Sequence, residues 1–179
     1  ILAIPPAAYT DWINYLKEEF LDYEALRNRP SRLQGQILHF ILSYIKNLKD
    51  HPLEDYLQKA ENEIHFVFPQ ISGLDQYLRQ IKQLVKKKEL KPFFYIDEGE
   101  VLTEQEIINK QGHTKRLDRL IVKKDEIWIV DYKTALDPQG AYEDQVQEYM
   151  NLIAELHPHH EVKGFLVYLD EGEVEEVKS

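Results

Sequence analysis

The sequence predicts a single α/β or α+β domain, and three observations carry that expectation. Apolar residues three and four apart run through the first half of the chain. After Pro92 the apolar period changes from 3.6 to 2. One further amphipathic helix then interrupts the strands near the C-terminus. Helices followed by strands with one helix between them is the order of a sheet covered by helices. Among 179 residues, 43% are apolar, enough for one ordinary core at this length.

The elements follow in order. Residues 1–30 read as a helical lead-in, with a helix from Asp11 to about Arg27 rich in Leu, Glu, Lys and aromatics. Residues 31–91 form a helical part that carries His39. There Ser31 is a suitable N-cap for a helix from Arg32 to Leu48, whose stripe is Leu33, Ile37, Ile41, Ile45 and Leu48. Leu38, Phe40 and Leu42 widen that stripe, so this helix is expected to be buried on most sides. Pro52 suits the first turn of a helix running to Asn62. A further helix spans Leu74 to Leu90 and ends in Lys86-Lys87-Lys88, cations at the favourable end of its dipole. Residues 92–179 are the sheet core. Phe93 to Ile96, Val101 to Ile108, Leu117 to Lys123 and Ile127 to Lys133 read as strands. A helix from Ala141 to Leu156 turns Tyr142, Val146, Tyr149, Ile153 and Leu156 inward, and strands Val162 to Leu169 and Glu173 to Val177 close the chain.

Composition excludes several classes. With 22 Lys and Arg against 32 Asp and Glu, the formal charge is −10, which argues against a passive coat on nucleic acid. It argues less against an enzyme whose site needs carboxylates. A 30% charged content with eight scattered prolines does not describe a disordered chain. No run approaches the ~18 apolar residues of a membrane span, so no membrane partner is expected. Without cysteine there is no disulfide framework, thiolate zinc site, iron–sulfur cluster or cysteine nucleophile. That is compatible with the cytoplasm, the expected location. The opening Ile1-Leu2-Ala3-Ile4-Pro5-Pro6 reads as a linker entering a domain, so the chain is expected to be a piece of a longer protein.

The chemistry concentrates between Thr114 and Lys133. The segment reads as a hairpin turning at Lys123 to Glu126, with Ile127, Ile129, Asp131 and Lys133 on one face. A turn centred between Lys124 and Asp125 sets Asp118 opposite Asp131, with Cβ atoms about 4.5–5.5 Å apart. Two carboxylates so close repel unless a proton or cation intervenes, and such oxygen-rich sites suit Mg²⁺ or Mn²⁺. Lys133 on the same face can hold a water or phosphate oxygen beside the metal. An isolated Asp-x-Lys is ordinarily a solvated surface pair. Here Asp131 ends the run Ile127-Trp-Ile-Val130, so it belongs to a buried strand and needs a partner. Gln145 lies in the inward stripe one turn before Tyr149, where it either meets that polar site or bonds a loop carbonyl. His39, with the small residues Gly35 and Ser43 at i±4, reads by itself as a satisfied core histidine.

Five motifs in order resemble the RecB/AddA-like nucleases of the PD-(D/E)XK superfamily, usually the C-terminal domain of UvrD-type helicase–nucleases that process DNA ends. They are Gly35-Gln-Ile-Leu-His39, Glu104-Gln-Glu-Ile-Ile, Arg116-Leu-Asp118-Arg119, Asp131-Tyr-Lys-Thr134 and Gln145-Val-Gln-Glu-Tyr149. The similarity runs from about residue 30 to the end. It implies a restriction-endonuclease-like fold: a central mixed β-sheet flanked by helices, with extra N-terminal helices.

The resemblance also implies a metal-dependent deoxyribonuclease of exonuclease type, acting in DNA recombination and repair. His39, Asp118, Asp131 and the Tyr132 carbonyl would be ligands for Mg²⁺ or Mn²⁺, and Lys133 would be the catalytic lysine. Gln145 and Tyr149 would support Lys133 and contact DNA. Glu104 is the less secure carry-over, because Glu106 two residues on shares its strand face. Lys115, Arg116 and Arg119 would grip phosphates without reading sequence. The four-cysteine iron–sulfur subtype is excluded. The implied partners are single-stranded or duplex DNA ends, a helicase domain in the same parent chain and a partner subunit. No phosphate-binding Gly-x-x-x-x-Gly-Lys-Ser/Thr loop occurs here, so ATP hydrolysis would reside elsewhere. The alternatives are a non-catalytic DNA- or partner-binding module of the same fold and a stand-alone nuclease.

Overall fold

A computed structural model describes residues 29–108, 112, 114–134 and 141–178. The chain divides into two compact units, Ile1–Gln36 and Ile37–Ser179. The expected helix from Asp11 to Arg27 lies outside the described residues, and the described part of the first unit is the start of helix α1.

Four helices precede the sheet: α1 (Arg29–Tyr44), α2 (Leu53–Val67), α3 (Leu74–Leu84) and α4 (Lys91–Phe94). Helix α1 begins before Ser31, which therefore lies inside its first turn and not at the cap, and it stops four residues short of Leu48. Helix α2 has Pro52 as its N-cap and outruns Asn62 by five residues. Helix α3 ends at Leu84, so Lys86, Lys87 and Lys88 lie in the exposed turns beyond it and not on a helix end.

The strand expected over Phe93 to Ile96 is not one. Lys91–Phe94 is a single helical turn with proline near its start, and its polar backbone is satisfied without a neighbouring strand. Leu48 N–H donates to Phe94 O, Arg119 donates to Phe93 O, and the Asn47 side-chain amide bonds both the N–H and the carbonyl of Ile96 at 3.0 Å. A short apolar run has no period of its own that separates strand from helix, and here tertiary partners decide.

The sheet has five strands in the order β1-β2-β3-β4-β5: β1 (Glu100–Ile108), β2 (Thr114–Val122), β3 (Glu126–Lys133), β4 (Glu161–Tyr168) and β5 (Glu173–Val177). It is mixed. Only β3 and β4 are parallel, and the connection between them is helix α5 (Ala141–Leu156), the crossover that parallel neighbours require. The protein is therefore α/β, with an open mixed sheet and flanking helices.

Alternate residues of the central strands feed two cores. Val130, Tyr132, Phe165 and Val167 pack with Ile37, Ile41, Ile64, Ile81 and Phe94 on one face. Ile127, Ile129, Leu166 and Tyr168 pack with Val146, Tyr149, Met150 and Ile153 of α5 on the other. Leu156, expected inward, is exposed at the helix end. Gly164 lets α5 approach β4 closely: a Cβ there would lie 2.5 Å from Val146 Cγ1 and 2.6 Å from Met150 Sδ. That approach sets where the first turns of α5 stand over the end of β3. No helix of the described residues is long and apolar enough to cross a membrane.

Candidate active site

The β2–β3 hairpin turns where the sequence places it, with Lys123 N–H bonded to Glu126 O at 2.8 Å. Its register runs from Val122↔Ile127 to Arg119↔Val130, so Asp118 and Asp131 occupy the next rung. There the ladder gives way to a side chain. Asp118 Oδ2 accepts the Tyr132 backbone N–H at 2.8 Å, and Asp118 Oδ1 lies 3.3 Å from His39 Nδ1. His39 is thus half-buried and paired with a carboxylate of the hairpin. Its ring also meets the Tyr132 ring edge-on at 5.8 Å, so β3 orients it from a second side.

Glu104 joins this group through an unusual backbone. Its φ is 53°, in the left-handed region that non-glycine residues rarely adopt. The β1–β2 register pairs Thr103 with Arg119 and Gln105 with Leu117 but skips the Glu104–Asp118 rung. Face alternation reverses at that rung on both strands: Val101 and Ile121 lie in one core, Ile107 and Leu117 in the other. The expectation that Glu106 shares the face of Glu104 therefore fails. Glu106 is exposed, while Glu104 is half-buried and pairs with Arg116 at 2.8 Å. Backbone strain of this kind concentrates at functional sites.

Electrostatics bind the cluster together. Burial, and then the charge of Asp118, push the Asp131 carboxyl up to about 6, although Lys133 and His39 oppose the shift. Burial also raises Glu104; Arg116 opposes that shift, and Asp118 adds to it. For His39 burial pulls downward, but the hydrogen bond and charge of Asp118, with Asp131 and Glu104, outweigh it and raise the imidazole. Three carboxylates and an imidazole thus share one electrostatic neighbourhood.

Lys133 connects the acids to α5. Its Nζ stands 2.8 Å from Asp131 Oδ2 and donates to Gln145 Oε1 at 2.8 Å. Gln145 Nε2 in turn donates to Tyr149 Oη at 2.6 Å. Gln145 therefore meets the polar site. The Tyr142 ring, read from the sequence as core lining alone, has Lys133 Nζ 4.5 Å above its centroid. Its place three residues before Gln145 on one helix face was the available signal.

Two of the expected DNA contacts are placed differently. Arg119 is fully buried and cannot reach a phosphate. Its guanidinium donates to Phe93 O at 3.0 Å, Ile45 O at 2.6 Å and Lys46 O, and stacks 4.7 Å from the Phe94 ring. It ties the end of the helix carrying His39 to the strand carrying Asp118. Tyr149 is buried at 4% exposure, with its hydroxyl on Gln145. Lys115 pairs with Glu148 at 3.1 Å, and Arg116 remains the most exposed cation of the group.

Asp131 Oδ2 is buried and has no hydrogen-bond donor, since Lys133 approaches it as an ion pair off the hydrogen-bonding direction. A buried carboxylate oxygen without an aligned donor, beside a second carboxylate and an imidazole, belongs to a donor set suited to a hard divalent ion. As the side chains stand, no three His, Asp or Glu residues among those described converge around one point. The chemistry of the set fits a metal, and His39 and Asp118 face each other within it.

No protein-family model and no curated protein matches the chain. What supports a functional reading is the ordered set of motifs together with the geometry above.

Proposed function

We propose that the protein is a metal-dependent deoxyribonuclease domain of restriction-endonuclease-like fold, of exonuclease type, acting in DNA-end processing. One observation carries this reading: buried Asp131 shares a rung with Asp118, its Oδ2 has no aligned hydrogen-bond donor, and Lys133 stands 2.8 Å from it with Gln145 behind. A core has no use for two acids and a lysine so placed, because each costs desolvation.

In this reading His39, Asp118, Asp131 and the Tyr132 carbonyl hold Mg²⁺ or Mn²⁺, with Glu104 beside them. A bound divalent ion supplies Lewis-acid polarisation of the scissile phosphate. Lys133 contributes positive charge where negative charge develops as water attacks phosphorus. The P–O bond to one deoxyribose breaks, leaving a phosphate monoester and a sugar hydroxyl. Gln145 orients Lys133 through a neutral carbonyl, and Tyr149 orients Gln145. Arg116 and Lys115 meet the phosphate backbone by exchanging their carboxylate partners for it. Strand separation belongs to a helicase domain of a longer parent chain.

The test is incubation with linear and circular single-stranded DNA in Mg²⁺, Mn²⁺ or chelator. Metal-dependent loss of linear DNA alone supports the exonuclease reading, and cutting of circles makes the domain an endonuclease. In parallel, Mn²⁺ should raise the melting temperature of the wild type, and Asp118→Asn or Asp131→Asn should abolish that rise. No cleavage with either metal overturns the proposal in favour of a binding module.

A further inference from the structure

Among the described residues the Lys133 ammonium has three neighbours, and the third is Tyr142. Asp131 Oδ2 and Gln145 Oε1 each lie 2.8 Å from Nζ, and the Tyr142 ring centroid lies 4.5 Å away. Tyr142 and Gln145 are one turn apart at the start of α5, so a single helix face delivers both. Tyr142 is half-buried and packs at the margin of the core that Val146 and Tyr149 occupy.

The three neighbours differ in charge. Asp131 is an acid, and in the nuclease reading its oxygens serve a metal. Gln145 and the ring are neutral, so they restrain the ammonium without cancelling its charge. A π face attracts a cation from one side and leaves the remaining N–H directions open. We propose that Tyr142 is a positioning residue, whose aromatic face holds the Lys133 ammonium over the site when Asp131 is engaged elsewhere. This rests on the nuclease reading for its purpose, but the contact itself can be tested without it.

The contact has a spectroscopic signature. In protein labelled with ¹³C-lysine, the Lys133 ε-methylene protons should resonate upfield of the other lysines through the ring current, the peak being assigned by its loss in Lys133→Arg. Tyr142→Phe should keep the upfield shift and Tyr142→Leu should remove it. In cleavage assays Tyr142→Leu should lower kcat about tenfold, with KM for DNA within about twofold, the size of effect a partly desolvated cation–π contact supports. Phenylalanine at 142 should rescue the rate that leucine loses. Pentafluorophenylalanine has the same shape and a reversed quadrupole, so it should not rescue. That comparison also decides the matter if the leucine variant folds poorly. An unshifted Lys133 resonance in the wild type, or equal rates with phenylalanine and pentafluorophenylalanine, overturns the proposal. A ring-current shift in a wild-type protein that cleaves nothing overturns the nuclease reading and leaves the contact standing.

Discussion

Asp118 accepts the backbone N–H of Tyr132 at 2.8 Å, one residue beyond the last regular rung of the β2–β3 ladder. The bond fixes one carboxylate oxygen, and the other faces His39 at 3.3 Å. A negative charge is thereby held beside buried Asp131, whose carboxyl titrates near 6. The stability of the metal-free protein should carry the mark of that repulsion.

Asp131→Asn should stabilise the protein in chelator at pH 7.5 and have little effect near pH 4. The native carboxyl, at about 6, holds its proton more tightly than the unfolded chain does. Ionised Asp131 therefore disfavours the fold, increasingly as pH rises from the unfolded value toward 6 and fully above it. The gain at pH 7.5 should be on the order of 1 kcal/mol, the pairing with Lys133 already holding the shift down. Denaturant melts at both pH values check this, and equal effects at the two would contradict it.

Arg119 should matter to folding far more than Arg116. Replacing Arg119 by Met orphans three carbonyls in a dry interior and should cost about 3 kcal/mol or more. Arg119→Lys should recover only part of that loss, since a point charge cannot meet three acceptors in one plane. Arg116→Ala removes an exposed ion pair and should change stability by about 0.5 kcal/mol or less. Urea midpoints for the three variants give the ranking. A mild Arg119→Met would refute the structural role assigned here.

Gln145→Leu should fold well, because leucine extends the apolar stripe of α5, yet lose most nuclease activity. It would leave Lys133 without its neutral acceptor and Tyr149 Oη without its donor. A merely structural glutamine predicts lower stability with activity intact. Thermal melts set beside cleavage rates separate the two outcomes.

Lys133→Ala should reduce cleavage by about two orders of magnitude or more, as loss of one preorganised transition-state donor does. DNA affinity at fixed salt should change little, because one phosphate contact supplies only part of the counterion release. Lys133→Arg should not restore the rate, since a planar fork does not fit between Asp131 and Gln145 as a compact ammonium does. Near-wild-type cleavage by Lys133→Ala would refute the mechanism.

The sequence by itself determined the elements whose cause is local. The period of two in β2 and β3, with polar residues at the turn, sets the hairpin register and hence the rung shared by Asp118 and Asp131. The 3.6 period of α5 carries Gln145 and Tyr149 to one face, and its bounds are those read from the sequence. What only the tertiary structure decided depends on partners far along the chain. Four apolar residues, Phe93 to Ile96, are ambiguous until Asn47, Leu48 and Arg119 take up their backbone groups. An arginine beside a site acid reads as a surface cation, and only the meeting of Ile45, Lys46 and Phe93 carbonyls makes it a buried one. The left-handed turn of Glu104 leaves no trace in residue type, since it arises where two strands exchange faces opposite Asp118. Local spacing sets which side chains share a face. Which of them are buried, paired or strained depends on what the rest of the chain brings against that face.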